Sequence, residues 1–174
     1  LPPSRTPLSA YQKRLMLFLS VATFSEGFDF FALAQLLPQL RAAFALSEQG
    51  AGLLVGAINL GPMLAYLLVR QADQWGRRPV LTVTIAGYTL FTLLSAFAWS
   101  AWSFAAFQLL ARIFLIGEWA VAMVFAAEEY PADRRGLVIG IIQACSSLGG
   151  VACAGAVPLL LRTPLGWRSV FLVG

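Results

Sequence analysis

The chain has 174 residues, of which 59% are hydrophobic and only 11% charged, with a formal net charge of +4. Soluble domains usually carry about 25% charged residues, so this composition excludes a water-facing globule with one apolar core and makes lipid the solvent. The absence of histidine excludes a His-based metal centre and a His switch, and the basic residues sit at the ends of apolar runs, where they report topology rather than a nucleic-acid partner.

Residues 1–14 form a polar lead-in with Arg5, Lys13 and Arg14, read as a cytoplasmic N-terminal segment ahead of a transmembrane bundle over 15–174. About 20 apolar residues at ~1.5 Å each cross the ~30 Å hydrocarbon core. Leu15 to Leu40 is the first such span, and Ser25-Glu26-Gly27-Phe28-Asp29 places two acids near its middle. It is too long, and too interrupted by acids, for a cleavable signal peptide. Arg41 to Gln49 is a short connection in which Ser47 suits an N-cap. The second span, Gly50 to Val69, contains Asn59 and Gly61-Pro62, tolerated in a membrane helix where neighbours re-satisfy freed backbone groups.

A charged turn follows over 71–79, Gln-Ala-Asp-Gln-Trp-Gly-Arg-Arg-Pro. Gly76 permits the bend and Pro79 begins the third span, which runs to Ala101. Trp99 and Trp102 flank an uncharged connection, as in an interfacial belt. The fourth span, Trp102 to Ala127, carries Arg112 and Glu118. A second charged loop covers 128–136. The fifth span, Leu137 to Leu161, is uncharged and rich in small residues, Ser146, Gly149, Gly150 and Gly155 among them, which let helices approach closely. Cys145 and Cys153, about 12 Å apart along this helix, are too distant for a disulfide. A loop over 162–168 leads to Ser169–Gly174, the start of a sixth span. The apolar run is cut there, so the chain reads as a fragment of a longer protein.

Orientation follows from the loops. Arg5, Lys13, Arg14, Arg70, Arg77, Arg78, Arg134 and Arg135 fall on one side, and Arg41, Arg162 and Arg168 on the other. The richer side is expected to be cytoplasmic.

Glu26, Asp29, Arg112 and Glu118 are the informative residues. A charge at mid-span costs about 2.5–3.5 kcal/mol on insertion scales and marks a bundle interior or a substrate path. Glu26 and Asp29 are three apart and share a helix face. Arg112 is a fixed cation able to offset one carboxylate, as an ion pair with Asp29. Glu118, about 120° around the helix from Arg112, need not share its partner.

These residues resemble the major facilitator superfamily of secondary transporters. Asp73, Gly76, Arg77 and Arg78 match its G-x-x-x-D-x-x-G-R-[KR] loop, with Val69 in place of the leading glycine. Glu128, Arg135 and Gly136 match the related E-x6-R-G pattern after the fourth helix. Arg112 resembles the fourth-helix arginine, although Ile116 stands where a glycine is usual. Glu26-Gly27-Phe28-Asp29 is similar to the first-helix D-G-[FY]-D motif of aromatic-acid:proton symporters, and Gly117-Glu118-Trp119 to the metabolite:proton branch. Gly166-Trp167-Arg168 resembles the start of helix six. The fifth span lacks the Gly-Pro step common in antiporters.

The resemblance implies an all-α membrane protein. The chain would be the N-terminal six-helix half of a twelve-helix transporter, five full transmembrane helices plus the start of a sixth, built from inverted repeats around a midplane site. It implies proton-coupled symport of a small organic solute, an organic or aromatic acid, by alternating access. Asp29, Arg112 and Glu26 would couple protons. Glu118, Gln35, Asn59 and Gln143 would line the cavity. Asp73, Gly76, Arg77, Arg78, Glu128 and Arg135 would form a cytoplasmic gate, with ion pairs between loops stabilising the outward-facing state. The partners would be substrate, protons, lipid and the C-terminal half of the same chain, with no cofactor beyond a proton gradient and no nucleic acid, in a bacterial inner membrane. Competing readings are an efflux antiporter, a sugar porter, or a non-transporting membrane sensor. No enzyme is expected: the sequence shows no nucleophile with a base and no phosphate loop.

Overall fold

The computed structural model describes residues 7–173, except for the side chains of 71–73. Helix α1 (Ala10–Ala43) begins in a capping box. The Ser9 hydroxyl accepts the Gln12 N–H at 3.1 Å and the Gln12 side chain accepts the Ser9 N–H at 3.0 Å. The helix therefore starts earlier than the bundle boundary read at residue 15. Gln12, Lys13 and Arg14 are good helix formers and extend it beyond the apolar stretch.

Helix α2 (Glu48–Ile58) is capped by Ser47, as its sequence position suggested, with the hydroxyl accepting the Gly50 N–H at 3.1 Å. The second span, however, is two helices rather than one. Helix α3 (Gly61–Trp75) starts afresh after Asn59 and Leu60. Pro62 has no N–H to offer the carbonyl of Ile58, and its ring crowds that carbonyl. The proline is instead accommodated in the first turn of a new helix. Glu48–Arg70 taken together still has the length of a span, 23 residues.

Both charged loops are shorter than the sequence reading made them. Helix α4 (Arg77–Ala96) follows α3 after Gly76 alone, whose φ of +89° is left-handed and suits glycine. Helix α5 (Ala101–Glu129) and helix α6 (Ala132–Leu160) are separated only by Tyr130 and Pro131. Glutamine, arginine and glutamate favour helix, so the ladders run on past the apolar windows. At the other end α4 stops at Ala96, short of the expected Ala101, and the turn before α5 leaves Trp99 and Trp102 strongly exposed. Helix α7 (Arg168–Val173) completes the described chain.

Among the described residues, five spans are long and apolar enough to cross a membrane. Their packing has three levels. At the Trp99 end, Leu36, Leu40, Ile58, Phe104, Trp167 and Phe171 form one apolar cluster. Phe104 meets Trp167 and Phe171 edge-on at 5.7 and 5.5 Å between ring centres. At the Arg77 end, Leu19, Leu81, Val121, Phe125, Tyr130 and Ile142 form another. Between them lies a buried polar layer: Glu26, Asp29, Thr84, Thr92, Arg112 and Glu118. Helix α5 is central, touching α1, α2, α3, α4 and α6, while α1 packs chiefly on α6.

Candidate functional site

The α1–α6 contact decides where the acids point. A Cβ on Gly27 would lie 2.0 Å from the carbonyl oxygen of Ser146, and one on Gly149 would lie 2.0 Å from that of Phe24. The two backbones touch, as small residues allow. Gly150 likewise leaves room for the Phe31 ring. With Gly27 pressed on α6, Asp29 lies about 200° further round α1 at ~100° per residue, and so turns away from α6.

Asp29 meets α4 there. The Tyr88 hydroxyl donates to Asp29 Oδ2, and both residues are buried. Oδ1 has no partner. Arg112 is buried as well, yet among the described residues no ion pair joins it to Asp29. Its guanidinium instead lies over the Phe30 ring, 4.7 Å from the centroid, a cation–π arrangement. Nη1 has no partner. Gly61, just after the break in the second span, makes room for this side chain: a Cβ there would sit 2.9 Å from Cβ and Cγ of Arg112.

Two cavities meet at Phe30. One, of about 270 Å³, is lined by Phe30, Leu37, Val55, Asn59 and Arg112. The other, of about 260 Å³, is lined by Glu26, Phe30, Phe31, Ile116, Trp119 and Ser146. Glu26 is 5% exposed, and its Oε2 has no partner. An unpaired buried carboxylate oxygen or guanidinium nitrogen costs more than an ordinary lost hydrogen bond.

Of the other expected cavity residues, Asn59 joins this group. Gln143 stands at its edge, accepting the Trp119 Nε1–H at 3.1 Å. Gln35 is occupied, donating to Cys153 Sγ at 3.4 Å between α1 and α6. Glu118 does not join. It lines a separate cavity of about 230 Å³ with Ser25, Ile85, Tyr88 and Thr89, between α1 and α4. Tyr88 is the residue that sequence reasoning missed. It is one of several hydroxyls in its span, with Thr84, Thr89 and Thr92 close by, and nothing in the sequence singled it out.

At the Arg77 end, the two signature loops meet. Arg77 forks onto Glu128, Nε to Oε2 at 3.2 Å and Nη2 to Oε1 at 3.0 Å, the strong bidentate form. Arg78 turns instead to α1, donating to the Tyr11 hydroxyl at 2.6 Å. The Tyr130 hydroxyl donates to the Gln12 carbonyl at 2.6 Å. Gly76 forms the turn, and Arg135 is exposed in the first turn of α6. The expectation for Asp73 falls outside the described side chains.

An all-α bundle with five membrane-length spans among the described residues, and with acids and an arginine buried at mid-span, defines a multi-pass membrane protein. The chain belongs to the Major Facilitator Superfamily, whose profile matches residues 19–174. It is 31% identical to the gallate transporter of Pseudomonas putida over 97% of its own length and 37% of that protein. It is 29% identical to the 4-hydroxybenzoate transporter PcaK of Pseudomonas aeruginosa, over 97% of its own length and 38% of that protein. The chain therefore spans less than half the length of these relatives.

Proposed function

We propose that this chain forms part of a secondary active transporter that takes up a small organic acid, an aromatic acid above all, together with protons. The observation that carries this reading is the presence of buried charges at mid-span, Arg112 and Glu26, lining two neighbouring cavities that share Phe30. The names of the two relatives, gallate and 4-hydroxybenzoate transporters, support an aromatic acid as the cargo.

In this reading Asp29 is the proton carrier. It bonds to Tyr88 in the arrangement described and reaches Arg112 in another, so that taking up a proton biases which arrangement is populated. A second half-bundle closes the cavity, and access alternates by rocking of the halves. No cofactor takes part; a proton gradient supplies the energy. The Arg77–Glu128 fork lies on the cytoplasmic side of a bacterial inner membrane, with the N-terminus inside, and acts as the latch of the outward-facing state.

The test uses the full-length protein in proteoliposomes. Asp29→Asn is expected to abolish accumulation of benzoate and 4-hydroxybenzoate under an imposed pH gradient while sparing exchange of internal for external substrate. Full gradient-driven accumulation by Asp29→Asn would overturn the assignment.

A further inference from the structure

Asp29 lines none of the three cavities described above. It is joined to one of them by Tyr88, whose hydroxyl donates to Oδ2 and which also lines the cavity of about 230 Å³ that holds Glu118. Ser25 and Thr89 add further hydroxyls to that wall. Glu118 is 2% exposed, and a buried acid at mid-span ordinarily marks an ion path, yet it stands apart from both cavities at Phe30. The Glu118 cavity continues toward the Arg77 end, where it shares Phe18 with another of about 260 Å³ lined by Tyr11, Arg78 and Thr82. Tyr11, Phe18 and Ser25 recur at two-turn spacing on α1, and Leu81 and Tyr88 do so on α4. Each set is therefore one stripe of its helix, and the two stripes face each other across a crevice. From Tyr11 to Ser25 the crevice runs about 21 Å along α1, from the helix end to the level of the buried acids.

We infer that proton and cargo reach the polar layer by different routes, and that Glu118 and Tyr88 carry the proton to and from Asp29 along the crevice between α1 and α4. This rests on the proton-coupled reading above and adds to it a path and two carriers. A tyrosine hydroxyl donates and accepts at once. As it gives its proton to Asp29 Oδ2, the Tyr88 oxygen takes another from the Glu118 carboxyl or from water in the cavity. When the hydroxyl turns back, one proton has moved, Tyr88 is unchanged, and Glu118 is refilled from the crevice. Release is the reverse and returns the proton to the Glu118 carboxylate. Water belongs in such a cavity, which offers room and the two to four polar partners that a buried water needs. The other charges of the layer lie on the cargo side: Arg112 lines the cavity with Asn59, and Glu26 the one with Trp119. Near Arg112 an anion is drawn in and a proton repelled. Once Asp29 leaves Tyr88 for Arg112 the relay is broken, so the proton exchanges in one arrangement only.

The experiment compares two rates for 4-hydroxybenzoate with the full-length protein in proteoliposomes: accumulation under an imposed pH gradient, and exchange of internal for external substrate, which moves no net proton. Ala22 lines the Glu118 cavity and Ala34 the Arg112 cavity. Neither side chain titrates, so bulk placed there obstructs a route without removing a charge. Ala22→Phe is expected to slow accumulation about 10-fold or more while exchange keeps its rate, and Ala34→Phe to slow both. Glu118→Gln should lower the ratio of accumulation to exchange about as far, and Glu118→Asp, which keeps an acid, should recover part of it. Ala22→Leu takes the place of Ala22→Phe if the larger ring prevents folding, judged by the yield of monodisperse protein. A ratio that stays at the wild-type value in the Ala22 variant or in Glu118→Gln overturns this inference and leaves proton-coupled uptake standing. So does an Ala22 variant that slows exchange as much as accumulation. Exchange without any gradient-driven accumulation by the wild type overturns the proton-coupled reading itself.

Discussion

Helix α1 has two working faces, and they are built on opposite rules. Toward α6 it is dry and backbone-tight, with Gly27 and Gly149 letting carbonyls of the partner helix come within contact of where a methyl would stand. Toward α4 and α5 it carries Asp29 and Glu26, an arginine stacked on Phe30, and cavities of about 260 and 270 Å³. The first face is in backbone contact at its glycines, and the second has atoms left without partners. The proposed transport needs both: one contact rigid enough to aim the acids, another loose enough to exchange partners. The difference suggests that substitutions on the two faces fail in different ways.

The largest effect is expected on the tight face. Gly27→Leu or Gly149→Leu would drive a side chain into a backbone carbonyl. Overpacking ordinarily costs about 1–3 kcal/mol, and a clash with backbone, which cannot swing aside, exceeds that range. The measurement is the yield of monodisperse protein in detergent, expected to collapse. Gly155→Leu on the same helix has nothing within 4 Å of its Cβ position and should behave as wild type. Equal loss for all three would erase the distinction between the seam and the rest of α6.

On the loose face the fold should survive while transport fails. Tyr88→Phe keeps the ring and removes one hydroxyl, the donor to Asp29. Hydrogen bonds to charged groups are worth about 1.5–3 kcal/mol, so the rate of gradient-driven uptake is expected to fall about 10-fold or more while the melting temperature moves little. A large drop in melting temperature with normal uptake would make Tyr88 a structural tie instead.

The smallest effect is expected at the Arg77–Glu128 fork. The Arg77 side chain is 24% exposed and that of Glu128 50%, and exposed pairs contribute about 1 kcal/mol or less. Glu128→Gln should therefore shift the balance of inward- and outward-facing states only a few-fold, read by cysteine accessibility. Exchanging the two charges, as Arg77→Glu with Glu128→Arg, should restore part of it.

Much of this was legible beforehand. The five spans follow from apolar runs bounded by charge, and the buried charges stood out because they break those runs. The small residues of the fifth span correctly marked a close-packing surface. What stayed hidden depended on side-chain direction. That Asp29 would bond to Tyr88 rather than pair with Arg112 is a matter of how α1 is rotated, which Gly27 sets through a helix more than a hundred residues away in sequence. Glu118 is equally acidic and equally mid-span, yet it faces another cavity. The break at Asn59–Leu60 was foreshadowed by Pro62, but a membrane proline can also be absorbed without one, as Pro38 is within α1.

That break carries a last consequence. The stem of Arg112 rests in a notch that exists because residue 61 is glycine and the second span restarts there. The reach of the guanidinium is thus regulated by a residue in another helix. Adding one carbon at position 61 would move the arginine's anchor and shift its guanidinium without altering any charge. Residue 61 therefore sets, in methyl-sized steps, where the buried cation of the polar layer stands.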